Sequence, residues 1–570
     1  MLTKLTIRNF KLFGEVELEL GDRVVLIGPN NAGKTSALQA LALWDIGVKR
    51  WSEKRGSGNV PEKRPGVTIN RRDLITVPVP AANLLWRDLH TQESSHLNGG
   101  TRKVNIEVTV EGIADGAIWR CGLEFYYANE ESFYCRPLRV EGGGRMEVPK
   151  AATDVQVAYL PPMSGLGTTE SRLDEGAVNV ALGEGRTAEV LRNLCYRVLQ
   201  GPDGETKWRQ LAESMSSLFG IELEQPKYIR ERGEIVMAYR ERSGVQLDIS
   251  ASGRGQQQTL LLLAHMIINP GAVLMLDEPD AHLEILRQRQ IYQIITKTAA
   301  ATGGQILAAS HSEVLLNEAA GLDIVIAFVG KPHRIDDRGS QVLKALKDIG
   351  FDHYYQAEEK GWVLYLEGSS DLAILSAFAD RLGHAAKACL QRPFVQYVAN
   401  QPMKAREHFH GLRAAKNDLV GVALYDHLSR DLPMDAHLQQ LMWAKREIEN
   451  YLCQPETLLA FAESEGRAQA GELFAISWRD AMQEAIREIE AAFATLGSPS
   501  PWGPEVKASE EFLDRLFARF YAKLGLPNLR QKTDYHLLVS FVPIESIDDE
   551  VRRKLDAIAG AAAGAQPRRS

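Results

Sequence analysis

Two hydrophobic periods run through this chain. Glu15–Leu20, EVELEL, alternates acidic and apolar residues, the period-two pattern of a strand with one buried face. Arg23–Ile27, RVVLI, is a continuous apolar run, as expected of a strand covered on both faces. After a glycine-bearing loop the pattern becomes helical from Lys34 to about Leu43. Short β-like runs alternate with turns from about Thr101 to Val140. The pattern is helical again from about Thr187 and extended around Ile235–Leu247. Residues 250–330 read helix, strand, helix, strand, strand, with apolar runs in GAVLMLDEPD, GGQILAASHS and LDIVIAFVG. Residues 331–360 are polar and read as a connector. A second α/β unit follows: strand WVLYLEG, helix SDLAILSAFADRLG, strand PFVQYVAN, a helix, and strand LVGVALYD. Beyond about Gln454 the pattern is helical. It is broken by LGSPSPWGP (Leu496–Pro504), which reads as a linker, and it ends in AGAAAGAQPRRS, whose small and polar residues predict disorder. The expected fold is therefore α/β in three parts: residues 1–345, residues 356–455, and a mainly helical region over 456–570.

Composition changes this picture in two places. The 570 residues are 45% hydrophobic and 25% charged with a net charge of −8, values of a globular protein that is not globally basic. Any nucleic-acid surface must then be local. Residues 48–73, VKRWSEKRGSGNVPEKRPGVTINRRD, form the strongest local concentration. Lys49, Arg50, Lys54, Arg55, Lys63, Arg64, Arg71 and Arg72 stand against Glu53, Glu62 and Asp73, with Trp51 among them. This reads as an insertion loop, either a phosphate-contacting patch for DNA over 49–72 or a solvated surface loop. Cys121, Cys135, Cys195, Cys389 and Cys453 are scattered with no C-x-x-C pair, which disfavours a zinc site or disulfide framework and suits a reducing cytosol. The opening MLTKLTIRNF lacks the apolar core of a secretory signal. The apolar region Leu260–Leu276 is interrupted by His265 and Asn269-Pro270-Gly271, against a membrane span. A cytoplasmic location without a membrane partner is expected.

The chemistry concentrates in short motifs. GPNNAGKT (Gly28–Thr35) fits G-x-x-x-x-G-K-[ST] between an apolar strand and a helix, the context a P-loop needs. Gly28, Pro29, Asn30, Asn31, Ala32 and Gly33 form a turn whose N–H groups face phosphate oxygens, and the helix start at Lys34, Thr35 and Ser36 adds its dipole. Lys34 reaches the β- and γ-phosphates of ATP, and the Thr35 hydroxyl takes a Mg²⁺ position. In VLMLDEPD (Val273–Asp280), Asp277 would hold Mg²⁺ through water and Glu278 would orient and deprotonate the attacking water. SASGRGQQQ (Ser250–Gln258) places Ser252, Gly253 and Gly255 at the start of an apolar helix, a second phosphate-binding device. AASHS (Ala308–Ser312) ends a strand with His311, placed to hydrogen-bond the γ-phosphate.

In this order the motifs resemble the ATP-binding-cassette ATPase fold: Walker A, signature, Walker B, D-loop (Asp280-Ala281-His282) and switch histidine. About 220 residues separate Gly33 from Ser252, far more than transporter cassettes use. LTIRNFKLF resembles the opening of the ATPases of DNA repair and maintenance. The resemblance implies a head-to-head homodimer, since the chain has one Walker A motif. By the same resemblance the dimer would have two composite ATP sites, Ser252 would act in trans, and hydrolysis by Glu278 would release the clamp. Adenine contact falls to Phe10 or Phe13, and no Q-loop is located.

In the second unit Glu367 ends WVLYLEG and Asp426 ends LVGVALYD, while AKREIENYL carries Glu447 and Glu449. A carboxylate at a strand exit is as common in an ordinary loop as in a metal site. Two of them at the C-terminal ends of neighbouring parallel strands converge at one sheet edge, where they can bind Mg²⁺ and serve phosphodiester chemistry. The pattern resembles a Toprim domain. An ABC-type ATPase followed by Toprim is similar to the OLD (overcoming-lysogenisation-defect) architecture shared by the Gabija defence nuclease, over residues 1 to about 455. The resemblance implies DNA cutting with Mg²⁺ or Mn²⁺. Glu367 matches the family's first-strand glutamate and Asp426 the first aspartate of its Asp-x-Asp motif. Leu428 occupies the second aspartate position and offers no oxygen ligand, so Asp431, Glu449 or the DNA phosphate itself would have to compensate. Otherwise the unit is a degenerate docking or dimerisation module, and the protein an ATP-driven sensor or scaffold signalling to a partner, such as an accessory defence protein.

Overall fold

The computed structural model describes the chain apart from residues 57–64, 95–100, 141–143, 164–165, 242, 321, 336–348 and 568–570. The chain divides into two compact units, Met1–Leu343 and Lys344–Arg569.

The first unit is built on two six-stranded sheets, with three smaller sheets beside them among the described residues. One is antiparallel, in the order Phe13–Glu19, Leu2–Phe10, Ile106–Ala114, Ala117–Asn129, Ser132–Pro137, Val67–Asn70. The other runs Val157–Leu160, Val273–Asp277, Gln305–Ser310, Arg23–Ile27, Ile324–Ala327, all parallel, with His333–Arg334 antiparallel at the edge. The helix Lys34–Arg55 lies between them and shares one core with both. The continuous apolar runs belong to the parallel sheet because both of its faces are covered. Leu26, Met275 and Leu307 face the core that holds the helix Lys34–Arg55. Leu274, Leu276 and Ile306 face a second core with helices Leu191–Gln200, Gly204–Phe219 and Arg254–Ile268. EVELEL has one buried face, with Val16 and Leu18 buried and Glu15, Glu17 and Glu19 exposed.

The basic segment departs from expectation. The helix from Lys34 continues to Arg55, so residues 48–55 are helix rather than loop. Its apolar stripe extends through Trp44, Val48 and Trp51 at helical spacing, and Trp51 is 1% exposed in the core. Lys49 pairs with Asp45, Arg50 with Glu53 and Asp73, and Arg71 with Glu131. Lys54 and Arg55 are exposed in the last turn; Lys63 and Arg64 lie outside the described residues.

His265 sits in the middle of the helix Arg254–Ile268 at 3% exposure. Burial pushes its imidazole down to about 4 from 6.5. Between those values the unfolded imidazole holds a proton that the folded one has released. Stability from this group is therefore fully present above 6.5 and is lost as pH falls toward 4. We expect His265→Leu to shrink the wild-type loss of unfolding free energy between pH 7 and pH 4 by about 3 kcal/mol in urea titrations. Equal losses in both proteins would refute the assignment.

The second unit holds a four-stranded parallel sheet in the order Val395–Tyr397, Trp362–Leu366, Val420–Tyr425, Leu438–Met442. The helices after residue 455 share its core: Phe461, Trp478, Phe517 and Tyr535 pack in one cluster with Leu364, Leu366 and Phe378. Three segments read from composition turn out differently. Within the polar stretch 331–360, Phe351–Lys360 is a helix that buries Phe351 and Tyr354. LGSPSPWGP is packed rather than a free linker. The Trp502 indole donates to Glu490 at 2.7 Å, Asn450 donates to the Gly503 carbonyl at 3.2 Å, and the Arg446 N–H donates to the Pro504 carbonyl at 2.7 Å. The alanine-rich tail is helical as far as Gly564, as the end of the helix Asp549–Gly564, which buries Val551, Leu555 and Ile558; the last part of the segment expected to be disordered, residues 568–570, lies outside the described residues. Proline, glycine and alanine content reports local propensity and not what the segment packs against. Among the described residues, no helix is long and apolar enough to cross a membrane.

Candidate active site

Strands Val273–Asp277, Gln305–Ser310 and Arg23–Ile27 are adjacent and parallel, so their C-terminal ends share one edge. That edge receives Asp277 and Glu278, His311, and the loop leading to Lys34 and Thr35. The loop needs its glycines. Gly28 has φ 153 and Gly33 φ 101, and a Cβ would lie 2.8 Å from the Phe328 carbonyl oxygen at the first and 2.9 Å from the Phe13 ring at the second. Lys34 donates to the carbonyls of Gly28 at 2.7 Å and Pro29 at 2.8 Å, closing the turn on itself. Burial lowers its pKa, with Glu278, Asp277 and Asp280 opposing the shift. Thr35 Oγ1 donates to Asp277 Oδ1 at 3.2 Å, joining the two Mg²⁺ candidates across 242 residues. Burial raises the Asp277 pKa, and Glu278 raises it further.

A cavity of about 210 Å³ is lined by Asn30, Asn31, Lys34, Thr35, Ser36 and Glu278, together with Leu12. Glu278 has φ 50, in the left-handed region, and stands 3.8 Å from His311 Nδ1. Thus the P-loop, Asp277, Glu278 and His311 come together. The signature residues Ser252, Gly253 and Gly255 do not line this cavity. Ser252 is buried, and its hydroxyl donates inward to the Ile249 carbonyl at 2.7 Å. Gln257 fixes the same turn by donating to the carbonyls of Ile249 and Ser252. The exposed surface of the turn comes from Ala251, Gly253 and Arg254.

The candidates for adenine contact are also corrected. Phe10 and Phe13 are both core residues, Phe13 covering Gly33 and packing against Phe328. Leu12, between them, is 56% exposed and reaches the cavity. It is exposed because the hairpin tip turns at Lys11, φ 48. Tyr159, unmarked by any motif, donates to Asp277 Oδ2 at 3.2 Å from the neighbouring strand. Its pattern is that of an ordinary core tyrosine, so no local signal distinguishes it.

In the second unit Glu367 and Asp426 follow paired parallel strands. Asn400 joins them: its Nδ2 donates to Glu367 Oε2 at 2.7 Å and Asp426 Oδ2 at 3.0 Å, and its Oδ1 accepts from the Asp426 N–H at 2.9 Å. Asp371 is beside them, accepting from the N–H groups of Glu367 and Gly368. Burial, then the nearby Glu367, pushes the Asp371 carboxyl up to about 6. Burial, then Glu367, also raises Asp426 far above the carboxylate range. Glu449 is raised by burial, then by Glu447. Its Oε1 is buried without a hydrogen bond and lies 3.8 Å from Lys532 Nζ. Burial works against the Lys532 charge, but Glu449, Glu447, Glu367 and Asp371 together raise its pKa. Asn400, Asp371 and Lys532 are invisible in the sequence pattern because each joins the site from a separate element.

Leu428 and the exposed Asp431 have no part in these interactions. Among the described residues, no group of three or more His, Cys, Asp or Glu is arranged to enclose a metal ion. The chemistry of the set nonetheless fits a hard cation. It is made of carboxylate oxygens, three of its carboxyls (Asp371, Asp426 and Glu449) are held toward the protonated form, and one buried oxygen is unsatisfied.

The family matches fall in the first unit. Residues 1–44 match a family described as AAA ATPase domain, and residues 208–317 match one described as AAA domain, putative AbiEii toxin, Type IV TA system. No curated protein matches the chain. Among solved structures, the chain is similar to an SmcHead bound to the C-winged helix domain of ScpA, at 15% identity and TM-score 0.37, covering 59% of this chain and 98% of that one. It is similar to the SMC head domain from Thermotoga maritima at 16% identity and TM-score 0.31, covering 59% and 98%. An Smc head domain with an extended coiled coil, bound to the C-terminal domain of ScpA derived from Pyrococcus furiosus, gives 14% identity and TM-score 0.35, covering 61% and 99%. The two family matches bracket the site just described, one carrying Lys34 and Thr35, the other Ser252, Asp277, Glu278 and His311, and the first unit thus carries an ATP-binding P-loop ATPase domain of the AAA type.

Proposed function

We propose that the protein is an OLD-like, ATP-hydrolysing dimer that acts on DNA and cuts it at the carboxylate site of the second unit. One observation carries the cutting step: Glu367 and Asp426, at the ends of adjacent parallel strands, share Asn400. Mg²⁺ or Mn²⁺ would be held by Glu367 and Asp426, with Glu449 the further candidate, and would supply Lewis-acid activation of a phosphodiester. Lys532, held cationic among these acids, would offset charge on the phosphate. At the first unit ATP would lie along Gly28–Ser36, with Mg²⁺ on Thr35 and Asp277, Glu278 as base and His311 at the γ-phosphate. The exposed turn at Gly253 and Arg254 would meet the partner copy's nucleotide, giving ATP-dependent pairing.

The test is purified protein with plasmid DNA, ATP, and Mg²⁺ or Mn²⁺, where nicking or linearisation is expected. Intact plasmid under every condition would favour the second reading, an ATP-driven sensor or scaffold that signals to a partner. Leu428 in place of a carboxylate is the observation on that side. We assign DNA contact to the basic residues of 49–72. Neutralising Lys54, Arg55, Lys63 and Arg64 together should flatten the salt dependence of DNA binding, the slope falling by up to about 0.9 for each phosphate that is no longer neutralised. An unchanged slope would exclude this segment.

A further inference from the structure

The helix Arg254–Ile268 begins at the signature turn, and two of its residues grip the segment that follows the strand Val273–Asp277. Gly255 packs so closely that a Cβ would lie 2.9 Å from the Leu283 side chain and 3.0 Å from the His282 carbonyl oxygen. Three residues along, on the same helical face, Gln258 Nε2 donates to the main-chain carbonyl of Glu278 at 3.1 Å. Gln258 is 2% exposed, and its Oε1 is buried with no hydrogen-bond partner among the described residues. A half-satisfied buried amide is unfavourable where an apolar side chain of the same length would fill the space. Packing alone therefore does not account for a glutamine here.

Its bond falls on an unusual residue. Glu278 is held at φ 50, a conformation a non-glycine residue keeps only where its surroundings over-determine it. Its N–H donates to the Ala309 carbonyl, and its carbonyl accepts from the Ala281 N–H and from Gln258. The Gln258 amide is thus the direct side-chain link from the signature helix to the peptide that aims the Glu278 carboxylate.

We propose that Gln258 is a positioning residue that passes engagement of the signature turn to Glu278 of the same protomer, so that the two ATP sites of a dimer hydrolyse cooperatively. This rests on the reading of Glu278 as the base and of the Gly253–Arg254 turn as the contact to the partner's nucleotide. A nucleotide in the partner's P-loop draws on the N-terminus of this helix. A helix moves as a rod, so the shift arrives at Gly255 against His282 and at Gln258 against Glu278. Each base is then set by the nucleotide in the opposite site.

The experiment uses the full-length protein carrying Gln258→Met, which keeps length and removes the donor. The wild type is expected to hydrolyse ATP with a Hill coefficient above one. Gln258→Met should give a coefficient of one and an approximately tenfold lower kcat, the scale of a misaimed catalytic group. Affinity for a fluorescent ATP analogue should be unchanged. Gln258→Leu, which also removes the donor and adds no charge, is read the same way should Gln258→Met not fold. Wild-type kcat and cooperativity in the variant, or a coefficient of one in the wild type, would overturn the proposal. Glu278→Gln run alongside separates the two ideas. A wild-type rate there overturns the general-base reading itself, whereas an inactive Glu278→Gln beside an unaltered Gln258→Met overturns only the coupling.

Discussion

Glu278→Gln is expected to lower ATP turnover at least about a hundredfold, the lower end of what a positioned general base contributes, while ATP still binds. The reasoning is local. Lys34 and Thr35, which would hold the phosphates and Mg²⁺, take their positions from Gly28, Pro29 and Asp277 and not from the Glu278 side chain. Glutamine preserves the volume of the side chain and its polar reach toward His311, and the main-chain bonds to Ala309, Ala281 and Gln258 are untouched. What disappears is the basic oxygen. A protein that binds ATP without hydrolysing it should accumulate the paired state, so light scattering of Glu278→Gln should show a dimer with ATP and a monomer without it. Turnover within about threefold of wild type would remove Glu278 from the role of base, since such a change is far smaller than acid–base catalysis supplies. A monomer under both conditions would remove the sandwich arrangement and leave the P-loop chemistry standing.

The two sites are legible in the sequence to different depths, for a physical reason. A P-loop is contiguous: the strand, the glycine turn, Lys34 and Thr35 follow one another, so spacing alone carries the geometry. Asp277 and His311 are legible because each ends a continuous apolar run, and parallel strands deliver their ends to one edge. Glu367 and Asp426 follow from the same rule. Residues that act through tertiary proximity leave no such trace. Tyr159 reaches Asp277 from the next strand, Asn400 reaches Glu367 and Asp426 from the loop after a third, and Lys532 comes from the start of a 3-10 helix 83 residues beyond Glu449. Composition misleads where packing overrides it. Trp51 looks like a nucleic-acid contact among lysines and arginines, yet it extends a helical stripe into the core.

For the second unit, Glu367→Ala should abolish plasmid cutting in the presence of ATP and Mg²⁺ or Mn²⁺, a fall of at least about a hundredfold for the loss of a metal ligand or its equivalent. ATP turnover should continue. The choice of Glu367 makes the result interpretable. Its removal leaves Asp426 its bonds to Asn400 and takes away the carboxylate that, after burial, does most to raise the Asp426 pKa. A buried acid relieved of a like charge is no worse off in the folded protein, so the melting temperature at neutral pH should hold or rise. Loss of cutting with retained stability is therefore a chemical effect and not unfolding. Asp426→Asn should behave alike, keeping a polar partner for Asn400 and forfeiting the anionic oxygen. If Mg²⁺ or Mn²⁺ raises the melting temperature of the wild type and leaves Glu367→Ala unmoved, the cation binds at this carboxylate set even though Leu428 contributes nothing to it. If both variants cut as the wild type does, the nicking arises elsewhere. The Glu367–Asn400–Asp426 arrangement then serves to join two strand ends, a role that requires the hydrogen bonds and no metal.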